Sequence, residues 1–436
     1  MSLDGGFDAC IRGGDHAASA PDLRACPSTM TTFIPTRAAA LARLAEFLPN
    51  AGSHYANERN SDLGPTQRDN VSLLSPAVRH RLITEDEIVR AVLGSHSFQA
   101  AEKFIQEVCW RTYWKGWLEL RPKVWRDYQS QLEDLIGKIS EGSGLDRPFR
   151  KRYQAAVDGH TGIACFDAWT QELRSTGYLH NHTRMWFASI WIFTLNLPWQ
   201  LGADFFHRHL LDGDPASNTL SWRWVAGLQT QGKHYLARAE NIQQYTAERW
   251  SPKGQLKEDA SPLPADAIPA AGKLGELPLP NARKRTALWL HEDDLCAESW
   301  PAVDGLDVVA IAGDVSPASR SWLPVSDSVI AYSEAALADG LGRAGAHYRQ
   351  PAQRVLTADR QRWLAEHGIE QVVTAHASVG PAAGALGLLT RDLRARGISL
   401  VQLRRAWDTA FWPHADRGFF QLREQIRPVL AGLRIS

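Results

Sequence analysis

From Phe33 to about Trp250 the apolar residues recur at intervals of three and four, the spacing of helices that bury one face. "RAAALARLAEFL" shows the pattern, and Thr36 stands where it can cap the run. "ITEDEIVRAVL" opens on Thr84 with acidic residues in its first turn, which suits the positive end of a helix dipole. "SFQAAEKFIQEVCWRTYWKGWLEL" and "RMWFASIWIFTLNL" are longer, apolar on one or more faces, and predict long buried helices. Period-two alternation is absent. Residues 31–250 therefore read as an all-helical domain.

Residues 251–284 break this rhythm. Prolines interrupt the stretch and no periodicity survives, so it is expected to be a linker or an extended strap over the surface. Beyond it, short β-branched or apolar runs alternate with helical ones. "TALWLH", "DVVAIAG", "DSVIAY", "EQVVTAH" and "ISLVQL" read as strands. "TADRQRWLAEHG" and "PAAGALGLLTRDLRARG" read as helices between them. Such alternation predicts a doubly wound parallel-sheet domain of five strands, Rossmann-like, over 285–436. The first thirty residues, rich in glycine and serine, are expected to be a disordered lead.

Composition changes this picture in three places. Tryptophan is abundant, 17 in 436 residues, and clusters at 110–125, 186–199 and 222–224, all within the helical part. Basic and acidic residues balance at 48 each, so net charge announces no nucleic-acid partner and any basic surface must be local. The five cysteines form no C-x-x-C pair, which argues against zinc, iron–sulfur and secreted disulfide frameworks. With no apolar run long enough for a membrane span or signal peptide, a cytoplasmic location is expected, and a monomer.

The chemistry concentrates in "HLLDGDPASNTLSWRW", His209 to Trp224. A calcium loop starting at Asp212 needs an oxygen ligand, a glycine and a glutamate where this chain has Ala216, Ser217 and Arg223, so a metal site is rejected. Upstream, Asn181 and Arg184 are three residues apart and share a helix face. An arginine on an apolar helix needs a carboxylate partner, and Asp212 or Asp214 can supply it. Aromatics around such a pair suggest a buried cofactor site. "GLGRAG", Gly340 to Gly345, satisfies G-x-G-x-x-G but has no strand directly before it, so it reads as a helix terminus and loop and not as a dinucleotide fingerprint.

Five pieces in order, over roughly Tyr55 to Tyr245, resemble the flavin domain of the DNA photolyase and cryptochrome family. "YANER" is similar to its Y-x-x-x-R segment, through Tyr55 and Arg59. "VSLLSPAV" resembles T-S-x-L-S-P-x-L, through Ser72, Leu74 and Ser75. "EVCWRTYW" resembles E-x-x-W-R-E-F-Y, through Glu107, Trp110 and Arg111. "FDAWTQELRSTGYLHNHTRM" matches at Asn181, Arg184 and Met185, and "LLDGDPASNTLSWRW" looks like L-I-D-G-D-x-A-x-N-x-x-x-W-Q-W.

The resemblance implies a folded FAD inside the helical domain. Asp212 and Asp214 would contact ribose or the flavin edge, Arg184 would pair with one of them, and Asn218 would lie at flavin N5. Ser72 and Ser75 would bind phosphate, with Arg111 assisting and Tyr55 and Leu74 completing the wall. It also implies light-driven repair of cyclobutane pyrimidine dimers, with damaged DNA as partner. Trp110 and Trp224 would form the aromatic wall against the lesion, while Glu107 and Asn181 would hydrogen-bond its carbonyl edges and Met185 would make an apolar contact. Asn181 and Met185 stand where family members acting on (6-4) lesions commonly carry histidines, which favours the cyclobutane reading. Trp222 and Trp199 match the first two members of an electron-transfer chain, with Trp125 taken as the third.

This chain departs from the family in domain order, since family members place the α/β domain first. "TALWLHEDDL" resembles the opening of that domain, here transposed to follow the flavin domain. The transposition leaves the antenna pigment undefined. Together with a sparse basic rim (Arg59, Lys233, His234, Arg238), it keeps open a second reading, a cryptochrome-like photoreceptor that binds FAD, performs no repair and meets a signalling protein.

Overall fold

The computed structural model describes residues 32–435 apart from 143 and 266; the expected disordered lead, 1–30, lies outside them. Its first half is helical. Helix α1 (Arg37–Phe47) starts where Thr36 Oγ1 accepts the Ala39 amide at 3.2 Å. A short helix α2 (Ser75–Arg79) precedes α3 (Glu85–Ser95), which opens on a reciprocal capping box between Thr84 and Glu87. Helix α4 (Phe98–Glu119) is the longest of this group and is largely buried from Ala101 to Leu118.

The run "RMWFASIWIFTLNL" is not one regular helix. Helix α5 (Asn181–Ser189) widens into a π-helical turn over Ile190–Thr194, closed by the Leu195 amide donating to Ile190 O at 2.8 Å. Asn196, with φ of +51°, then ends it. The wide turn places Ile190, Trp191, Ile192 and Phe193 in successive buried positions that a regular helix would turn partly outward. Helices α6 (Trp199–His209) and α7 (Pro215–Val225) follow, joined by the loop Leu210–Asp214.

Between Tyr245 and Arg285 the described residues form no helix or strand. The segment lies along the molecule as a strap: the Leu263 amide donates to Ala226 O, and the Gly272 amide donates to Leu120 O.

The second half is a parallel five-stranded sheet in the order β3-β2-β1-β4-β5, with β1 (Arg285–Leu290), β2 (Asp307–Gly313), β3 (Ala352–Arg354), β4 (Gln371–Ala375) and β5 (Ser399–Leu403). Four of the five expected strands are present, and the expected strand "DSVIAY" is not. It is the first turns of helix α8 (Asp327–Tyr348), whose buried Val329, Tyr332, Ala336, Leu337, Gly340 and Leu341 keep helical spacing throughout. The fifth strand is β3, three residues at the sheet edge, too short to show any periodicity.

"GLGRAG" falls inside α8, which corrects the expectation of a helix end. Gly340 serves packing: a Cβ there would stand 3.0 Å from Leu295 O. Along β1 the side chains alternate between faces. Leu288 and Leu290 join a cluster that runs through the helical half, while Ala287 and Trp289 pack with Leu386 and Leu389 of α9 (Pro381–Arg394).

The two halves are fused by this shared cluster, in which Leu118 and Val124 belong with Val401, Trp407 and Ile426. Arg81 grips Asp408 through two contacts of 2.7 Å, and Trp407 Nε1 donates to Thr112 Oγ1 at 2.9 Å. The last helix, α10 (Phe419–Gly432), lies against α4.

Candidate functional site

A cavity of about 490 Å³ opens in the helical half, within the range of small-molecule and cofactor sites. Five stretches distant in sequence build it: residues 55–60, residues 71–75 leading into α2, the middle of α4, the start of α5, and the 210–214 loop with α7. The second is bent sharply, since Leu73 holds φ of +58°, a left-handed conformation that costs a non-glycine residue on the order of 1 kcal/mol. Strain of this kind on a cavity wall is usual at binding sites.

Of the residues singled out in the sequence, Tyr55, Ser72, Leu74, Ser75, Glu107, Trp110, Arg111, Asn181, Arg184, Met185, Asp212, Asn218, Trp222 and Trp224 all line this cavity. Asp214, Trp199 and Trp125 do not. Asp214 lies behind the wall, where its Oδ1 accepts the Ser217 amide at 2.7 Å and caps α7. A carboxylate there completes the first turn of α7 and sets the helix direction. Trp199 is buried one layer out, stacked on Tyr128 with ring centroids 5.4 Å apart.

The electrostatics follow from burial and pairing. Arg184 donates to Asp212 Oδ2 at 2.9 Å through Nη2, and to Leu179 O at 2.9 Å through Nε. Burial pushes the Asp212 carboxyl up, but Arg184, with help from Arg111, outweighs it and holds the group below its ordinary range. Asp214 is likewise lowered, burial being overcome by Lys115, Arg111 and Arg79. Glu107 goes the other way: burial raises its carboxyl even though Arg59 lies 3.7 Å away. One side of the cavity thus holds fixed negative charge, and another holds a carboxyl that takes up a proton more readily than usual.

Several polar atoms here lack partners. Asp212 Oδ1, Arg111 Nη1 and Ser217 Oγ are buried, belong to lining residues and make no hydrogen bond. Three such orphans around one cavity call for a polar ligand. Asn218 donates through Nδ2 to Ala203 O at 2.7 Å, which orients the amide and leaves its oxygen as the acceptor available to a ligand. The donors, acceptors and aromatic walls fit a flavin dinucleotide, with Arg111 and Ser75 able to meet phosphate, Asp212 a hydroxyl and Asn218 a ring N–H.

Aromatic rings continue outward from the cavity. Trp222 meets Phe206 and Trp191 edge-on, at 5.1 and 6.2 Å. Beyond Trp199 and Tyr128, Trp125 lies 5.4 Å from the Tyr128 ring. Trp224 stacks loosely on Tyr235.

Sequence reasoning passed over Tyr178, Ser217 and Leu73, which also line the cavity. The strain at Leu73 carries no sequence signal. Ser217, by contrast, lies inside the loop already singled out. A second cavity of about 300 Å³ lies beside the sheet, bordered by Trp289, Glu292, Asp314 and Arg360. Among the described residues no cluster has the composition of a metal site, and no helix is long and apolar enough to cross a membrane.

Residues 104–257 match the FAD binding domain of DNA photolyase. The chain is 30% identical over 203 residues to a deoxyribodipyrimidine photo-lyase of Escherichia coli, and 30% identical over 193 residues to one of Streptomyces griseus. These alignments take in 45% and 41% of this chain and 40% of each relative, so the chain spans about two fifths of the length of the curated relatives it matches. Among solved structures, a class III photolyase of Agrobacterium tumefaciens aligns at 25% identity with a TM-score of 0.40, over 49% of this chain and 43% of its own. A cryptochrome of Synechocystis aligns at 24% with a TM-score of 0.40, over 52% of this chain and 46% of its own.

Proposed function

The helical half of this chain belongs to the photolyase/cryptochrome family, and on that premise we propose that the protein is a light-driven repair enzyme for cyclobutane pyrimidine dimers in DNA. One observation carries the reading: Glu107, Trp110, Asn181, Met185 and Trp224 line the same cavity as Arg184, Asp212 and Asn218. Groups suited to a damaged base pair and groups suited to a flavin share one space.

When bound and reduced, FAD supplies the excited electron donor. The chain's own residues then have separable tasks. The Arg184–Asp212 pair fixes a carboxylate for a flavin hydroxyl or ring edge. Asn218, anchored to Ala203 O, presents an acceptor that favours a protonated ring nitrogen, the state of a reduced flavin. Trp110 and Trp224 offer flat apolar surface to a dimer flipped from the stack, an extrusion made cheaper by its weakened pairing. Glu107, whose carboxyl burial makes readier than usual to take up a proton, is suited to share one with a carbonyl oxygen of the lesion. Trp222 on the cavity wall begins the path by which electrons reach the flavin from outside, and Trp199 and Trp125, joined through Tyr128, are its outer members.

The test is illumination of the reduced, flavin-loaded protein with oligothymidine containing dimers. Restored thymine absorbance is expected; a flavin-loaded protein that restores none is not a repair enzyme. The alternative, a photoreceptor without repair, is favoured by one feature: a face of Trp110 is occupied by Phe419.

A further inference from the structure

The loop Leu210–Asp214 carries Asp212, so its position sets that of a carboxylate on the cavity wall. Two arginines hold its backbone from behind. Arg320 Nη1 donates to Leu210 O at 3.2 Å, and Arg79 Nε donates to Gly213 O at 3.0 Å. Both guanidinium groups are fully buried and neither lines the cavity. Their counter-charges come from the sheet-bearing half, just after β1: Arg79 Nη1 lies 2.6 Å from Asp293 Oδ1, and Arg320 Nη2 lies 3.5 Å from Glu292 Oε2. Arg320 itself belongs to that half, in the segment between β2 and α8.

The fit between loop and arginine is close. A Cβ at Gly213 would stand 3.1 Å from Arg320 Nη1 and 3.0 Å from Leu210 O. No side chain can be added there without moving the loop or the guanidinium. The arrangement is also expensive, since Arg320 keeps Nε and Nη2 without a hydrogen bond in a site closed to water. A buried arginine with unmet donors adds little to stability, so its value lies in what it positions.

We propose that Asp293 and Arg320, both in the sheet-bearing half, are positioning residues for the flavin site: through Arg79 and directly, they hold the 210–214 loop so that Asp212 meets the cofactor. The inference rests on the flavin reading of the cavity. It makes the transposed α/β half a working part of that site, whether or not it carries a pigment of its own.

The experiment uses the full chain and FAD as the probe. Asp293→Asn and Arg320→Gln are expected to weaken FAD binding at least tenfold and to shift the flavin midpoint potential, while the surface control Arg354→Ala changes neither. Arg320→Lys should recover part of the affinity. Should the charge variants fail to fold, Gly213→Ala removes no charge but presses the loop and the Arg320 guanidinium apart, and the same weakening and shift are expected. Variants that fold and bind FAD with unchanged affinity and potential overturn the proposal while the flavin reading stands. A wild-type chain that takes up no FAD overturns the flavin reading, and this inference with it.

Discussion

Phe419 lies flat on Trp110, with ring centroids 3.6 Å apart and planes 11° from parallel. Trp110 belongs to the cavity wall and Phe419 opens the last helix of the other half, so a single stacked pair couples the proposed substrate side to the α/β half. Phe419 is also almost fully buried. Phe419→Ala is therefore expected to destabilise the fold by about 3–5 kcal/mol, the usual cost of emptying an aromatic site in a core. Urea unfolding followed by tryptophan fluorescence measures it; a loss below about 1 kcal/mol would show that the stack contributes no more than an exposed contact.

Asp212 is nearly fully buried, bonded to Arg184 through one oxygen and unsatisfied at the other. Asp212→Asn removes the charge but keeps the shape. A hydrogen bond to a charged group contributes about 1.5–3 kcal/mol, so FAD affinity should fall roughly 10- to 100-fold. Titration of apoprotein with FAD, read by flavin fluorescence, decides it.

Electron supply gives a third test. Trp222→Phe should slow flavin photoreduction by a large factor. Trp199→Phe should do the same without altering FAD affinity, because Trp199 lies outside the cavity wall. Tyr128→Phe keeps the stacking ring between Trp199 and Trp125 and should leave stability nearly unchanged. Photoreduction at the wild-type rate in Trp199→Phe would remove that residue from the path.

Acid should destabilise the fold early. His207 is held down to about 3, by burial first and by Arg320 and Arg79 next; His180 and His209 are held down to about 4, again chiefly by burial. His180 Nδ1 must stay unprotonated to accept the His182 amide at the start of α5. Below about pH 6.5 the unfolded chain binds protons at these sites and the folded chain does not, so unfolding gains. Their stabilising contribution is complete above about pH 6.5 and is lost as pH falls through about 4. Thermal melts across that window should show a steadily falling Tm; a flat profile would mean that these imidazoles are open to solvent.

Much of the architecture was legible because long helices repeat their pattern many times. The caps at Thr36 and Thr84, the buried run of α4 and the strands β1, β2, β4 and β5 all follow from local spacing. The errors arose where two local signals compete. Val329 and Ile330 are β-branched, yet they belong to a helix whose burial pattern shows only over five turns. The glycines of "GLGRAG" read as a helix end, but Gly340 lies within α8 and serves to bring it against the carbonyl of Leu295.

Within the site, the residues assigned to flavin and lesion reached the cavity wall except Asp214, and of the electron path Trp222 did while Trp199 and Trp125 lie outside it. Asp214 has the residue type of a ligand contact and the position of a helix cap, and only coordinates separate the two. Arg79 and Arg320 were invisible for another reason. Their partners lie 214 residues away in one case and 110 in the other, and no local pattern encodes a contact at that range.

The order of the halves also has a consequence in time. Tyr113, near the cavity on α4, donates to Arg417 O across 304 residues of chain, and Phe419 reaches Trp110 over a similar span. At the usual 5–20 residues per second of synthesis, roughly 15–60 s pass between the making of these partners. During that interval α4 is on the ribosome with its tryptophan face bare. The helical half must wait for its cover, so a nascent chain stalled before Phe419 presents a sticky, unfinished surface that is a natural substrate for chaperones.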